Sequence, residues 1–298
     1  MAKVSVLIPS RNEIFLNKTI EDLLHKSRGD IEVIAVLDGY WPVPENREHW
    51  STPDVIEDKR VIYLHKGKAR GMRAAINSAA AIAKGDYLLK CDAHCMFMEG
   101  WDVLLSKDCD KDWVVIPARY SLDAENWAIE DNKKPRRDYH YLCFPYPDKP
   151  HDAGMHGVEW WERGRERSDP KYDIDENMSF QGSCWFMSRH HWDWLGGMSE
   201  VGYGTFTQEP QEIGNKTWLG GGKVMVNKKV WYAHLHKGSR YGRMYSTSNE
   251  EIRLGHLYSS RYWMNNEWKE RKHDMAWFIE RFSPVPTWPE DRSLWVAP

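Results

Sequence analysis

The chain is expected to fold as an α/β protein around a doubly wound, mostly parallel sheet. Two observations predict this. Through the first hundred residues, short apolar and β-branched runs alternate with helical stretches. The runs are continuously apolar rather than alternating, which marks strands covered on both faces. The length of 298 residues suits a substantial core in one large domain or two modest ones.

The elements follow in order. Residues 4–8 form a β-branched run stopped by Pro9. Residues 16–24 are apolar at Leu16, Ile20, Leu23 and Leu24, the spacing of one helix face. Gly29-Asp30 breaks that helix, and a second run, residues 31–37, ends at Asp38-Gly39. A polar, proline-bearing loop (41–59) leads to a third strand at 61–64. Residues 71–83 are alanine-rich and helical, closed by Lys84-Gly85. A fourth strand starts at 87–89 and runs into Cys91-Asp92-Ala93-His94. Ligands of such sheets bind beyond the carboxyl ends of the strands, where Glu13, Asp38 and Asp92 stand.

The second half is less regular. Strands are expected at 113–117 and 180–187, helices at 189–195 and 209–219, and extended runs at 224–226 and 230–233. Residues 119–179 read as a loop-rich excursion. The last 60 residues hold five tryptophans, a helix near 249–268 and a proline-rich tail.

Composition excludes several classes. Lys plus Arg total 41 against 44 Asp plus Glu, a net charge of −3, which argues against a protein built to coat nucleic acid or an anionic membrane. No apolar run approaches the ~20 residues of a membrane helix, and the first nine residues read as a strand rather than a leader. Five scattered cysteines make no disulfide framework and imply a reducing cytoplasm. Tryptophan is over-used, 17 against 8 Phe. Most of these rings are expected to pack, with Trp160-Trp161 and those of the tail available to stack on sugar rings.

The strongest constellation is Asp92-Ala93-His94. At an extended strand end, residues i and i+2 project to the same side, so a carboxylate and an imidazole aim at one point suited to a divalent metal. A zinc site from Cys91, His94 and Cys95 lacks a second Cys-x-x-Cys pair. Asp38 before Gly39 is also a turn signal. Glu209 and Glu212, near a helix start, also fit a role against the helix dipole. Gly67-Lys68-Ala69-Arg70-Gly71 lacks the Gly-Lys-Ser/Thr of a phosphate loop. The basic run Lys133-Lys134-Pro135-Arg136-Arg137 fits a solvated loop or a grip on an anionic acceptor.

Longer stretches carry a family resemblance. Val6-Leu-Ile-Pro-Ser-Arg-Asn-Glu13, Val36-Leu-Asp-Gly39 and Gly71-Met-Arg-Ala-Ala-Ile-Asn77 resemble the nucleotide-binding half of GT-A glycosyltransferases of the family 2 type. Asp92-Ala-His-Cys95 followed by Gly100-Trp101 is similar to the metal motif of the polypeptide N-acetylgalactosaminyltransferases. The similarity resumes at Gln181–Ser188, at Glu209-Pro-Gln-Glu212 with Trp218 and Gly220-Gly221, and at His234-Leu-His236. It spans residues 3–238 as a sparse pattern.

The resemblance implies a GT-A domain over 1–238, with a nucleotide-binding half (1–100) and an acceptor half (101–238), and a C-terminal lid or extension over 239–298. It implies a nucleotide-sugar donor, UDP-linked by preference, and Mn2+ or Mg2+ to offset the diphosphate charge. Pro9, Arg11, Glu13 and Asp38 would meet the nucleotide, and Arg70, Arg73, Asn77, Arg240 and Arg243 would lie near the diphosphate. Asp92 and His94 would hold the metal with a late histidine. His236 is preferred because it precedes the basic segment Lys237-Gly-Ser-Arg240, and His234 stays open. Glu209 would orient hydroxyls, supported by Glu212. Proline at 210 stands where inverting relatives keep a base, so retention is expected; the alternative is inversion with Glu209 as base. The acceptor hydroxyl is left open among a glycan, a lipid-linked intermediate, a protein and a modified DNA base. Rival readings are a nucleotidyltransferase and a non-catalytic sugar- or nucleic-acid-binding module.

Overall fold

Continuously apolar runs pair into the expected parallel block. The computed structural model describes residues 2–39, 55–130, 135–146, 153–242 and 247–295. Strands β1 (Val4–Ser10), β2 (Ile31–Asp38), β3 (Val61–Lys66) and β4 (Tyr87–Cys91) lie in the order β4-β1-β2-β3, all parallel. Their crossovers include helices α1 (Leu16–Lys26) and α2 (Met72–Ile82). One apolar cluster lies on each side of the sheet: Leu7, Ile34 and Leu88 face one, their neighbours Val6, Val33 and Leu89 the other.

The chain continues through β5 (Cys95–Phe97), α3 (Trp101–Lys107), β6 (Trp113–Asp123) and β7 (Ala128–Ile129). A two-stranded excursion, β8 (His140–Leu142) with β9 (Gly157–Glu159), is followed by α4 (Trp161–Glu166), β10 (Ile174–Glu176) and β11 (Cys184–Ser188). Next come α5 (Arg189–Leu195), α6 (Glu209–Leu219), β12 (Lys223–His234), the one-turn α7 (Gly238–Tyr241), α8 (Asn249–Met264) and α9 (Met275–Phe282). The full sheet runs β10-β12-β6-β11-β4-β1-β2-β3. Strand β11 is antiparallel to both β4 and β6, while β12 runs parallel to β6.

Three expectations change. Residues 180–183 precede β11 rather than belonging to it. The two extended runs expected at 224–226 and 230–233 are one strand, β12, with a register shift between Asn227 and Trp231. The tail forms a second helix, α9, not expected from its sequence. Asp274 caps it, accepting the Trp277 N–H at 2.8 Å, and Met275, Phe278, Ile279 and Phe282 make its buried face. That face, with Trp263 and Trp268, joins the same cluster as Leu7 and Trp185. Tryptophan thus serves the core: Trp101, Trp185, Trp218 and Trp263 are fully buried, and Trp160 packs edge-on against Tyr141. Among the described residues no helix is long and apolar enough to cross a membrane.

Two buried histidines tie stability to pH. Burial pushes His191 down to about 4, its Nε2 lying 3.0 Å from Thr217 Oγ1. Burial, then Arg119 and Arg137, pushes His140 down to about 3. Both rings stay neutral in the fold but protonate near pH 6.5 once unfolded, so the unfolded chain binds more protons below that pH. Stability is therefore expected to fall as pH drops from about 6.5 toward 4. Urea titrations at pH 7 and pH 5 should show His191→Asn losing less than the parent, by about 2 kcal/mol.

Candidate active site

The carboxyl ends of β1, β2 and β4 open into a cleft of about 650 Å³. Pro9, Arg11 and Glu13 line it from the end of β1, and Asp38 from the end of β2. Asp92 and His94 follow β4, and His234 and His236 stand at and beyond the end of β12.

Strand pairing assembles the floor. Strand β4 ends at Cys91, and the three residues Asp92-Ala93-His94 lead directly into β5. Strand β5 pairs antiparallel with the last turn of β12, placing Cys95 opposite His234, and the Leu235 N–H donates to His94 O at 3.2 Å. His234 thereby meets residues 140 positions earlier in the chain. Its Nε2 lies 3.2 Å from Asp92 Oδ2, and His94 Nε2 lies 3.8 Å from the same oxygen. The ligand atoms of Asp92, His94 and His234 all fall within 4.8 Å of one another, the one such group among the described residues.

His236, the expected third member, is not in this trio. Strand β12 ends at His234, so its two-residue alternation stops there, and His236 turns to place Nε2 3.3 Å from Arg119 Nη1. Cys91 and Cys95 are buried free thiols outside the trio.

The electrostatics suit a cation. Burial pushes His234 down to about 3, keeping the imidazole neutral with one nitrogen lone pair to offer. Removal from water works against charge on Asp92, yet Lys90 and the two imidazoles hold its carboxyl well below the usual range. Glu13 is likewise held low against its burial by His94 and Lys237. Behind Asp92, the buried Lys90 ammonium donates to Asp92 Oδ1 at 2.8 Å and to Gly182 O at 2.5 Å, with Glu209 Oε2 at 3.3 Å.

Several expected donor or catalytic residues bond to other parts of the chain. Asp38 lines the cleft and also accepts the backbone N–H groups of Arg70 (2.9 Å) and Gly71 (2.8 Å), combining the ligand-facing and turn-holding readings. Arg70 turns away from the cleft onto Glu200 at 2.7 Å. Arg73 is buried against Glu212 and the carbonyls of Thr207 and Ser199, joining α2 to α6. Asn77 brackets the backbone of Met198, accepting at 3.0 Å and donating at 2.8 Å. Glu212 also meets Lys216 at 2.8 Å. Glu209 is buried, accepts the Trp185 indole N–H at 2.7 Å, and is pushed up by that burial. None of Arg70, Arg73, Asn77, Glu209 and Glu212 lines the cleft. Arg240 is exposed and paired with Glu125, while Arg243, Lys133 and Lys134 lie outside the described residues. Arg136 and Arg137 pair with Asp138 and Glu159.

Sequence reading passed over Lys90 and Lys237. Lys90 did carry a signal: a lone charge inside an apolar strand, two residues before Asp92 and so on its side.

The chain is similar to known proteins. Residues 5–194 match the family model described as glycosyl transferase family 2. The chain belongs to glycosyl transferase family 2. This family 2 chain is 22% identical over 330 residues to polypeptide N-acetylgalactosaminyltransferase 12 of Mus musculus, covering 98% of this chain and 54% of that protein. It is 24% identical over 246 residues to polypeptide N-acetylgalactosaminyltransferase 5 of Caenorhabditis elegans, covering 76% and 36%. The chain thus spans about half the length of the first relative and about a third of the second. Its backbone matches a crystal structure of GalNAc-T7 with UDP, GalNAc and Mn2+ at a TM-score of 0.62 and 18% identity, covering 90% of this chain and 52% of that one. The fold is GT-A.

One glycine sets the cleft wall. Gly71 has φ of 94°, and the next N–H, of Met72, donates to Thr205 O at 3.0 Å. A Cβ at 71 would collide with Thr205, which lines the cleft. Gly71→Ala combines a left-handed backbone with that collision and is expected to destabilise by about 1–3 kcal/mol. Urea denaturation checks this, and an unchanged midpoint would show that the loop yields freely.

Proposed function

We propose that this chain transfers a sugar from a nucleotide-sugar donor, a UDP-sugar first among them, to a hydroxyl acceptor with the help of Mn2+ or Mg2+. The observation that carries the reading is the convergence of Asp92 Oδ2 and the two imidazole Nε2 atoms on the cleft floor. One carboxylate and two imidazoles fit a divalent ion that keeps positions open for other oxygens. Nδ1 of His234 is buried with no hydrogen-bond partner, leaving Nε2 as the side of the ring turned to Asp92. Bound there, the ion would neutralise the charge that grows on the departing diphosphate.

The chain's own residues supply the rest. Pro9, Glu13 and Asp38 line the end of the cleft at β1 and β2, where a nucleoside would lie across the strand ends. Arg11 and Lys237 bring positive charge to the same walls. UDP, GalNAc and Mn2+ in the GalNAc-T7 structure support the donor and ion chosen here. Five free cysteines support a reducing compartment such as the cytoplasm.

Isothermal titration of UDP in the presence of Mn2+ tests the site. The parent is expected to bind, and His234→Ala to lose more than about 100-fold, beyond the range of an outer-shell change. His236→Ala should keep UDP and Mn2+ binding within a few-fold. If His236→Ala, rather than His234→Ala, abolishes binding, the trio is misassigned.

The cleft also bears on stereochemistry. Among the described residues its carboxylates are Glu13, Asp38 and Asp92, and each is engaged: by Lys237 and His94, by two backbone N–H groups, and by Lys90 with the histidines. Glu209 is 3% exposed and tied to Trp185, so it does not reach an acceptor as a base. Inversion needs a carboxylate or imidazole on the acceptor side. Among the described residues the cleft carboxylates are thus engaged and the His236 imidazole lies against Arg119, so the departing phosphate oxygen is left to take the hydroxyl proton on the face it leaves, and configuration is retained. Proton NMR of fresh product from an α-linked UDP-sugar should show an α anomeric coupling, and a β coupling would reject retention.

A further inference from the structure

Lys90 stands in a strand whose other side chains are Tyr, Leu, Leu and Cys, and its own side chain is 1% exposed. Burying a charge there is expensive, and an apolar side chain of similar length would fill the same space. Its contacts indicate what it does. The ammonium has three N–H donors, and three acceptors meet it: Asp92 Oδ1, Gly182 O and Glu209 Oε2. Glu209 is in turn held from its other side, Oε1 accepting the indole N–H of Trp185, which the antiparallel register sets opposite Lys90.

The consequence falls on Asp92. With Oδ1 bound to the ammonium, Oδ2 is the oxygen that faces His234 Nε2 at 3.2 Å and His94 Nε2 at 3.8 Å. We propose that Lys90 is a positioning residue for the metal centre: it divides the two oxygens of Asp92, so that one is anchored and the other is the ligand. Glu209, braced by Trp185, positions Lys90 in turn. The role of Glu209 is therefore behind the metal rather than on the acceptor. This inference rests on the metal reading above.

Three variants test it: Lys90→Met, Glu209→Gln and the double variant. Mn2+ affinity is read by EPR of the free ion, and folding by near-UV circular dichroism and melting temperature. Lys90→Met is expected to weaken Mn2+ binding by about 10- to 100-fold, the range of outer-shell changes around metals. It also strands the Glu209 carboxylate, so its melting temperature should fall. The double variant removes both charges and should recover much of that melting temperature while Mn2+ binding stays weak. A purely structural role predicts that binding returns together with stability. Glu209→Gln, which leaves Lys90 on Asp92 and Gly182, is expected to fold and to weaken Mn2+ binding by less than Lys90→Met does. Wild-type Mn2+ affinity in the folded double variant, or in Lys90→Met should the double variant not fold, overturns the positioning role of Lys90, and wild-type affinity in Glu209→Gln overturns the bracing role of Glu209. A parent protein that binds no Mn2+ overturns the metal reading itself, and this proposal with it.

Discussion

The site depends on where β12 ends. This strand runs parallel to β6 from Lys223 opposite Trp113 to His234 opposite Ser121, and its last residues also pair with β5. Only that double pairing sets His234 beside the turn that carries Asp92 and His94. Side chains on a strand alternate faces, so a slip by one residue would turn His234 away. The register shift between Asn227 and Trp231 lies upstream of this end and adjusts which residues face β5. Through β6, β11 and β4 the same sheet reaches β1 and β2, whose ends line the other side of the cleft.

Buried charge holds the walls that this sheet leaves open. Arg73 ties α2 to α6 through Glu212 and reaches the carbonyls of Ser199 and Thr207, on the segment that carries Thr205 and Phe206 to the cleft. A buried ion pair adds little to stability in itself, but removing one partner leaves a charge stranded. These pairs therefore act as spacers between elements that have no strand pairing to align them. Asp38 does the same for the chain entering α2, through backbone N–H groups rather than a cation.

This division explains what could be read from sequence. The strand ends were legible because apolar runs that stop at Pro9, before Asp38 and before Asp92 mark the edge of the sheet, with Glu13 three residues beyond the end of β1. Asp92 and His94 were legible by alternation. His234 and His236 satisfy the same alternation, and only the point where β12 stops separates them, which is a tertiary fact. Arg73, Asn77, Glu209 and Glu212 have the residue types of ligand contacts, and nothing in their spacing tells a buried partner from a bound diphosphate. The fold was likewise clear where helix and strand alternate. Beyond residue 239 the helix near 249–268 was legible and stands as α8, while tryptophan and proline density hides the short amphipathic helix α9.

That C-terminal segment is more than a cover. Its aromatic residues, Trp263 and Trp268 with Phe278 and Phe282 of α9, are packed in the main core. From the first turn of α8, Glu251 accepts both the N–H of Thr205 at 2.6 Å and its hydroxyl at 2.7 Å. Thr205 O in turn receives the N–H of Met72 at the start of α2. The chain of contacts runs from the tryptophan-rich core, through one carboxylate, to a residue on the cleft wall and on to the helix after Gly71. Among the described residues of the segment, Gly242 and Thr247 touch the cleft directly. Among the described residues, the aromatic core of α8 and α9 therefore meets the cleft wall through the contact of Glu251 with Thr205.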